Sequence, residues 1–364
     1  GESGERPLFD QCSLHTNYHG RLSTSVKFLG TSRLLVTAGE DNAVKLLLAY
    51  DSPTCNGGTS STKMVLRCLD HSLVHTSAVF ALSVLPPHPP PSTTNNTTTT
   101  TDTTTTDKTT MVFSAGGNNM LCFWTVDTSL GMKAKLNLVG THRQEVVMLS
   151  TMEKEEDDCL YMSMAVVACN QGDETIGGGD AVVLCGSSQG TVSMFRCDQD
   201  LRSNNQVIQH EATFHLPGNA RKPVLSLDIV VDRHSFEKGL IFALTGSTDG
   251  TIAVWNITSA VRLGVGEGSK GLKGSKGLKG LKGSGSALLC VLPIHRMGVN
   301  AMCATTSIPW RPETLLSVEA NGGVIFVVAS GGDDNALGVT IIRYDPTVED
   351  ESIKVLSSAM VDSA

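Results

Sequence analysis

Short apolar strands that are separated by polar, glycine-containing turns recur along this chain. The clearest instance is the segment 244–257, LTGSTDGTIAVWNI, which predicts a strand, a tight turn and a second strand. Residues 248–251, TDGT, favour a turn because an Asp side chain accepts from its own backbone two residues on and Gly tolerates positive φ. The β-branched Ile252, Val254 and Ile257 favour a pleated, half-buried strand. The segment therefore predicts an antiparallel hairpin.

Four further segments share this eleven-residue pattern of a small residue, Gly or Ala, a polar turn and an apolar strand. Aligned with 245–255, TGSTDGTIAVW, they are 37–47 TAGEDNAVKLL, 114–124 SAGGNNMLCFW, 185–195 CGSSQGTVSMF and 330–340 SGGDDNALGVT. The spacing between them is unequal. A fixed local unit at variable spacing indicates structural repeats with loop insertions.

A histidine precedes four of the five units, and residues suited to a strand follow each histidine four and seven positions later. The fourth unit keeps the strand residues Val224 and Leu227 but has Ala220 where the others have His. The four histidines are His19, His75, His142 and His295.

These units resemble WD repeats, the blades of β-propellers. In that family a blade has four strands, a to d, and four side chains hydrogen-bond as a structural tetrad. They are a His before strand a, a Ser or Thr on strand b, an Asp in the b–c turn and a Trp on strand c. The resemblance implies an all-β WD-repeat β-propeller with about five recognisable four-stranded blades, as part of a larger propeller array.

No unit has all four tetrad residues, but each matches the family pattern in part. Leu47 and Thr340 replace Trp in the first and fifth units, and Asn118 replaces Asp in the second. The third unit has Cys185, Gln189 and Phe195 at the other three positions. The resemblance implies a structural role for the matching residues, which are His19, Thr37, Asp41, His75, Ser114, Trp124, His142, Thr245, Asp249, Trp255, His295, Ser330 and Asp334.

The units predict blades at about 15–70, 75–141, 142–217, 220–293 and 295–360. The Pro- and Thr-rich segment 86–110 and the Lys- and Gly-rich segment 264–286 are predicted to be disordered, because neither composition buries a core. In the third blade the first strand is expected at Val146–Leu149, and the apolar segment 160–169 has no assignment.

Two expectations follow from this register. All long insertions would fall in a–b and c–d connections, so one face would carry them and the opposite face would be smooth. Residues 7–14 are expected to form the outer strand of a preceding blade, which predicts that the chain is the C-terminal part of a longer protein.

Composition narrows the class of protein further. The chain has 364 residues, a formal net charge of −8 and no apolar run near the roughly 18 residues of a membrane helix. The acidic balance argues against a mainly basic RNA-binding surface. Ten cysteines without a C-x-x-C pair favour buried reduced thiols in a cytoplasmic protein over a zinc site or disulfides.

The sequence predicts no catalytic, cofactor or metal site, and therefore a protein that is not an enzyme. The lysines of 264–286 precede their glycines, which is not the order of a phosphate loop; a solvated linker and a phosphate-contacting loop remain alternatives. His15/His19 and His71/His75 have a metal-type spacing, but neither pair lies in a predicted helix.

Four segments also resemble, in amino-acid sequence, the WD-repeat proteins that partner a tRNA 2′-O-ribose methyltransferase; they are 34–47, 242–257, 295–305 and 328–339. The resemblance implies a non-catalytic subunit that docks the catalytic subunit and helps to present the wobble position of the tRNA anticodon loop. The catalytic subunit would bind S-adenosylmethionine, and tRNA would be a second partner. The alternative is a generic protein–protein interaction scaffold, in signalling or in ubiquitin ligase assembly.

Overall fold

The described residues form five four-stranded antiparallel sheets, which confirms the all-β, WD-repeat propeller-like fold class. The computed structural model describes residues 19–30, 32–56, 59–85, 109–143, 159–168, 181–197, 208–216, 222–232, 239–267, 287–306, 324–345 and 353–362. The chain divides into two compact units, residues 1–141 and 142–364. We number the sheets 1 to 5 in chain order and describe each unit by itself.

The first unit contains sheets 1 and 2, which bury a shared core. Sheet 1 consists of β1 (Ser23–Phe28), β2 (Leu34–Gly39), β3 (Val44–Asn56) and β4 (Thr59–Ser72). Sheet 2 consists of β5 (Val79–Leu85), β6 (Thr109–Gly116), β7 (Met120–Asp127) and β8 (Asn137–Arg143), with a 3₁₀ helix at Thr128–Lys133. Val36 and Leu46 of sheet 1 pack in one cluster with Val112 and Trp124 of sheet 2.

The second unit contains sheets 3, 4 and 5. Sheet 3 consists of β9 (Tyr161–Ala168), β10 (Ala181–Ser187), β11 (Thr191–Cys197) and β12 (Ile208–His215). Sheet 4 consists of β13 (Val224–Val231), β14 (Ile241–Ser247), β15 (Thr251–Asn256) and β16 (Ala287–Pro293), and helix α1 (Thr258–Glu267) follows β15. Sheet 5 consists of β17 (Val299–Thr305), β18 (Val324–Gly332), β19 (Ala336–Tyr344) and β20 (Ile353–Asp362).

Sheet 4 has a core on each of its two faces because successive strand residues point to opposite sides. Ala243 and Trp255 pack with Val182 and Leu184 of sheet 3. Phe242 and Leu244 point the other way and join a cluster with sheet 5. There the ring of Phe242 stacks on that of Phe326, with centroids 5.3 Å apart. Sheet 4 is thus the buried middle layer of this unit.

The turn between the second and third strands has the same backbone conformation in every sheet. The sixth residue of each eleven-residue unit has a positive φ between 50° and 80°. Only Asn and Gly occupy this position, because both tolerate the left-handed region. These residues are Asn42, Asn119, Gly190, Gly250 and Asn335.

A hydroxyl-to-carbonyl hydrogen bond links the first strands of neighbouring sheets within each unit. Ser163 Oγ donates to the carbonyl of Val224 at 2.9 Å, and Ser226 Oγ donates to that of Val299 at 2.8 Å. Thr24 Oγ1 makes the equivalent bond to Val79. Each donor lies at or beside a register shift in its strand. A bulge re-aims a side chain locally, which brings the hydroxyl to the next strand.

The first strand of the third sheet differs from the sequence prediction. Segment 160–169, which had no assignment, contains β9, and β9 pairs with β10 along its length. The expected strand at Val146–Leu149 lies outside the described residues. Residues 144–160 therefore connect the last strand of sheet 2 to the first strand of sheet 3. The expectation that every long insertion lies in an a–b or c–d connection is wrong at this point.

The structure also differs from the prediction at one end of each segment that was predicted to be disordered. Thr109 and Thr110 belong to β6, and residues 264–267 belong to α1. The helix starts where Asn256 Oδ1 accepts from the backbone N–H of Thr258 at 3.1 Å, and its Val261 is fully buried. This burial outweighs the low helix propensity of a glycine-containing segment. The rest of both insertions, and the expected strand at residues 7–14, lie outside the described residues.

Candidate functional site

The turn of sheet 1 is held by a three-residue hydrogen-bonded chain. His19 Nδ1 lies 2.7 Å from Asp41 Oδ1, and His19 Nε2 lies 2.9 Å from Thr37 Oγ1. The backbone N–H of Gly20 and the ammonium of Lys45 both donate to Asp41 Oδ2 at 3.1 Å. Burial acts to raise the pKa of Asp41, but the bonds from His19, Lys45 and Gly20 outweigh it and hold that pKa well below its usual range. Asp41 is therefore an ionised acceptor at neutral pH.

Sheet 5 repeats this arrangement with different donors. His295 Nδ1 and Nε2 each lie 2.9 Å from their partners, Asp334 Oδ1 and Ser330 Oγ. The backbone N–H of Arg296 donates to Asp334 Oδ2 at 2.9 Å. This N–H lowers the pKa of Asp334. Burial acts to raise that pKa, while the bonds from His295 and from the N–H of Ala336 lower it further.

At the four tetrad positions, sheet 2 has the histidine, the serine and the tryptophan, but an asparagine replaces the aspartate. Ser114 Oγ lies 2.8 Å from His75 Nε2 and accepts from Trp124 Nε1 at 2.8 Å. Asn118, at the Asp position, donates instead to Thr76 Oγ1 at 3.1 Å. His75 Nδ1 is buried and has no hydrogen-bond partner among the described residues. Burial lowers the pKa of His75 to about 4, so the imidazole is neutral.

Sheet 4 has no histidine, and a lysine takes its place beside the aspartate. Lys222 Nζ donates to Asp249 Oδ2 at 2.5 Å, while Ser247 and Thr251 donate to Oδ1. Burial acts to raise the pKa of Asp249, but the bonds from Lys222, Thr251 and Ser247 hold it well below its usual range. On the same sheet Trp255 Nε1 donates to Thr245 Oγ1 at 3.2 Å. Sequence reasoning missed Lys222; the signal was a basic residue two positions after Ala220.

The turn of sheet 3 contains no charged acceptor, and His142 contacts the residue at the Trp position. The His142 ring lies 5.1 Å from the ring of Phe195, and the His210 ring lies 5.4 Å from it. Burial lowers the pKa of His142, and the nearby His210 adds to this effect. Cys185, at the Ser or Thr position, is fully buried. Gln189, at the Asp position, follows Ser187, whose Oγ accepts from the Gln189 N–H at 3.2 Å.

In sheet 5 the serine, histidine and aspartate are hydrogen-bonded in the same sequence as in a Ser-His-Asp hydrolase, but their burial differs from that of a catalytic triad. In such enzymes the serine attacks a substrate, so its hydroxyl must be reachable. Ser330 is 2% exposed and His295 is 6% exposed. The equivalent pair in sheet 1, Thr37 and His19, is also buried, with each residue 8% exposed. These chains of hydrogen bonds fix the turns and present no nucleophile to a substrate.

Other reactive groups of the described residues are also enclosed or dispersed. Burial raises the pKa of the Cys122 thiol to about 12 and that of Cys290 to about 11, which makes both poor nucleophiles. No group of three or more His, Cys, Asp or Glu side chains in the described part of the chain has the arrangement of a metal site. Among the same residues no helix is long and apolar enough to cross a membrane.

Comparison with protein-family models and with curated proteins finds no match. Among solved structures the chain is similar to Sqt1 of Saccharomyces cerevisiae, with 11% sequence identity and a TM-score of 0.48. The match covers 94% of this chain and 63% of Sqt1, so the chain spans less than two thirds of that protein's length. The chain's own five four-stranded antiparallel sheets have the WD-type, propeller-like architecture.

Proposed function

We propose that this chain is a non-catalytic WD-repeat scaffold that partners a tRNA 2′-O-ribose methyltransferase acting on the wobble position of the anticodon loop. The observation that carries the proposal is the sequence of the turn units, which resembles that of the C-terminal part of WD repeat-containing protein 6. The suggestive segments are 34–47, 242–257, 295–305 and 328–339.

The use of the acid–base side chains supports a non-catalytic role. Asp41 and Asp334 each accept from a histidine, from the backbone N–H of the residue after that histidine and from a backbone N–H of their own turn. Asp249 accepts from Lys222 and from residues of its own turn. Groups that are already saturated by structural donors have little capacity left to move a proton in a reaction. Methyl transfer would then take place on the catalytic subunit, which would bind S-adenosylmethionine.

The charge of the chain indicates how it would contribute to tRNA modification. A formal net charge of −8 repels a polyanion at long range. The scaffold would therefore act mainly by docking the catalytic subunit, and that subunit would supply most of the contacts to tRNA phosphates. A rigid partner holds a catalytic subunit in a productive orientation without contributing reacting groups.

The proposal is tested by reconstituting methylation with the purified chain, the candidate catalytic subunit and an unmodified tRNA transcript. We expect co-elution of the two proteins and a wobble 2′-O-methylation rate that rises at least about tenfold when the chain is added, since pre-orientation of reactants has effects of this size or larger. A heat-unfolded sample of the chain is the control.

Two results would overturn the assignment. Absence of a complex, with unchanged methylation, would leave the generic scaffold in signalling or ubiquitin ligase assembly as the remaining alternative. Methylation by the chain without the second subunit would show that the chain is itself an enzyme.

A further inference from the structure

Helix α1 is short, and its own sequence does little to stabilise it. It spans ten residues, Thr258–Glu267, and includes the glycines Gly264 and Gly266. Isolated helices shorter than about 12 residues are marginal in water, and glycine is among the least favourable residues in a helix interior. No acidic residue lies in the first turn and no basic residue in the last, so the side chains of α1 do not offset its dipole. The helix therefore depends on contacts with the rest of the fold.

The first turn of α1 carries an apolar anchor. Ala260 and Val261 are at most 1% exposed and belong to the core cluster that sheets 3 and 4 share. The backbone N–H of Ile241, on β14, donates to Thr258 Oγ1 at 2.8 Å. Ser259, in the same turn, is exposed. Docking of the first turn thus orders the helix, as expected for a segment with weak intrinsic propensity.

An arginine of sheet 3 donates to the backbone of this helix. Arg196, on β11, donates from Nη2 to the carbonyl of Val261 at 3.0 Å and from Nε to Glu211 Oε1 on β12 at 2.6 Å. The side chains of Arg196 and Glu211 are 21% and 13% exposed, so solvent screens the pair only in part. A guanidinium directs its donors along fixed directions, which lets one group bond two acceptors at once. Arg196 therefore ties α1 to sheet 3 by a charge-assisted hydrogen bond.

Glu211 sets the direction of this guanidinium. A register shift beside Phe195 leaves Glu211 as an extra residue of β12, and such a bulge re-aims a side chain. Its Oε2 is buried and has no hydrogen-bond partner among the described residues, so Arg196 is the cation that compensates this carboxylate. Because both residues belong to sheet 3, their pairing does not require α1 to be in place.

We propose that α1 is a strap with its own docking equilibrium on sheet 3, and that Arg196 is the positioning residue that keeps it docked. Undocking breaks the bond from Arg196 to Val261 and exposes the apolar first turn of the helix. The ladders of sheets 3 and 4 stay intact, because α1 takes part in none of their described register pairs. Such a local opening lies at a lower free energy than global unfolding. The inference is independent of the partner proposed above.

Hydrogen exchange of the whole chain tests for a separate docking equilibrium. Peptides from α1 are followed by mass spectrometry together with peptides from β14 and β15, over a series of urea concentrations below the unfolding transition. We expect the α1 amides to exchange through an opening that hardly depends on urea, because undocking exposes little surface. The β14 and β15 amides should need an opening that grows steeply with urea, since their exposure requires the sheet to unfold. Exchange of α1 in step with β14 would overturn the proposal.

Substitutions test whether Arg196 holds the helix. Arg196→Lys keeps the charge but loses the fork of donors, so α1 exchange should rise about tenfold, the scale of one hydrogen bond to a charged group, while β14 exchange stays at the wild-type rate. Glu211→Gln, which weakens the orientation of the guanidinium, should raise α1 exchange less, and it decides by the same comparison if Arg196→Lys does not fold. Arg343→Lys, at the partly buried pair with Asp345 in sheet 5, is the matched control and should leave α1 exchange unchanged. Unchanged α1 exchange in Arg196→Lys, or an equal rise in α1 and β14, overturns the role of Arg196.

Discussion

Among the histidines beside the repeated turns, His75 has a buried ring nitrogen, Nδ1, without a hydrogen-bond partner among the described residues. Burial lowers its pKa from 6.5 to about 4. Below pH 6.5 the unfolded chain then binds more protons than the folded chain, so stability falls as the pH falls from 6.5 towards 4. The full loss is on the order of 3 kcal/mol, since one pKa unit corresponds to about 1.4 kcal/mol. His142 and His210, whose pKa values are also lowered, contribute in the same direction.

Urea unfolding at pH 7, 5.5 and 4.5 checks this prediction. We expect the wild-type midpoint to fall across the series, and we expect His75→Gln to fall less steeply over the same range. His71→Gln, at an exposed position, is the control and should follow the wild type. Parallel curves for His75→Gln and the wild type would show that His75 is not the source of the pH dependence.

Trp255 and Asp249 belong to the same unit but should differ in their contribution to stability. Trp255 is 4% exposed and lies in the core between sheets 3 and 4, so Trp255→Ala should cost about 3–5 kcal/mol. Asp249 is exposed, and of its donors Lys222 can turn to water whereas Ser247 is buried, so Asp249→Ala should cost less, about 1–2 kcal/mol. Denaturant unfolding of both variants measures the difference. A wild-type midpoint for Trp255→Ala, with lost partner binding, would place Trp255 on a binding surface instead.

Ser226 allows a test of how neighbouring sheets are linked at the scale of elements. Its hydroxyl bonds the carbonyl of Val299 across the gap between β13 and β17. Ser226→Ala leaves that carbonyl without its donor and should cost about 1 kcal/mol. Ser25→Ala is the matched control, since Ser25 holds the equivalent position of sheet 1, where Thr24 makes the link instead. Equal unfolding midpoints for the two variants would show that the link contributes nothing.

The elements differ in how far the sequence predicts them. The hairpins at the five units follow from local chemistry, because each turn needs Asn or Gly at one position and that residue is present in the chain. Strand β9 has no such turn before it, and the apolar pattern after His142 competes with it for the same assignment. Helix α1 forms where buried Val261 packs between sheets, which no local propensity encodes. Lys222 meets Asp249 only through folding, so its role depends on a contact 27 residues away in sequence.

At the level of the whole molecule, we propose a division of labour in which this chain is the scaffold and a second subunit is catalytic. His19, His75 and His295 are buried, and the turn aspartates Asp41 and Asp334 are each held by several donors. The hydrogen-bonded chain of Ser330, His295 and Asp334 is closed to substrate. In the described turns, the same polar side chains that satisfy the turn backbone are the ones withheld from substrate.

The most direct test of this central claim is the binding stoichiometry of S-adenosylmethionine, measured by titration calorimetry on the chain alone and on its complex with the methyltransferase catalytic subunit. We expect no binding heat for the chain alone and one cofactor per complex. Stoichiometric binding to the isolated chain would contradict it.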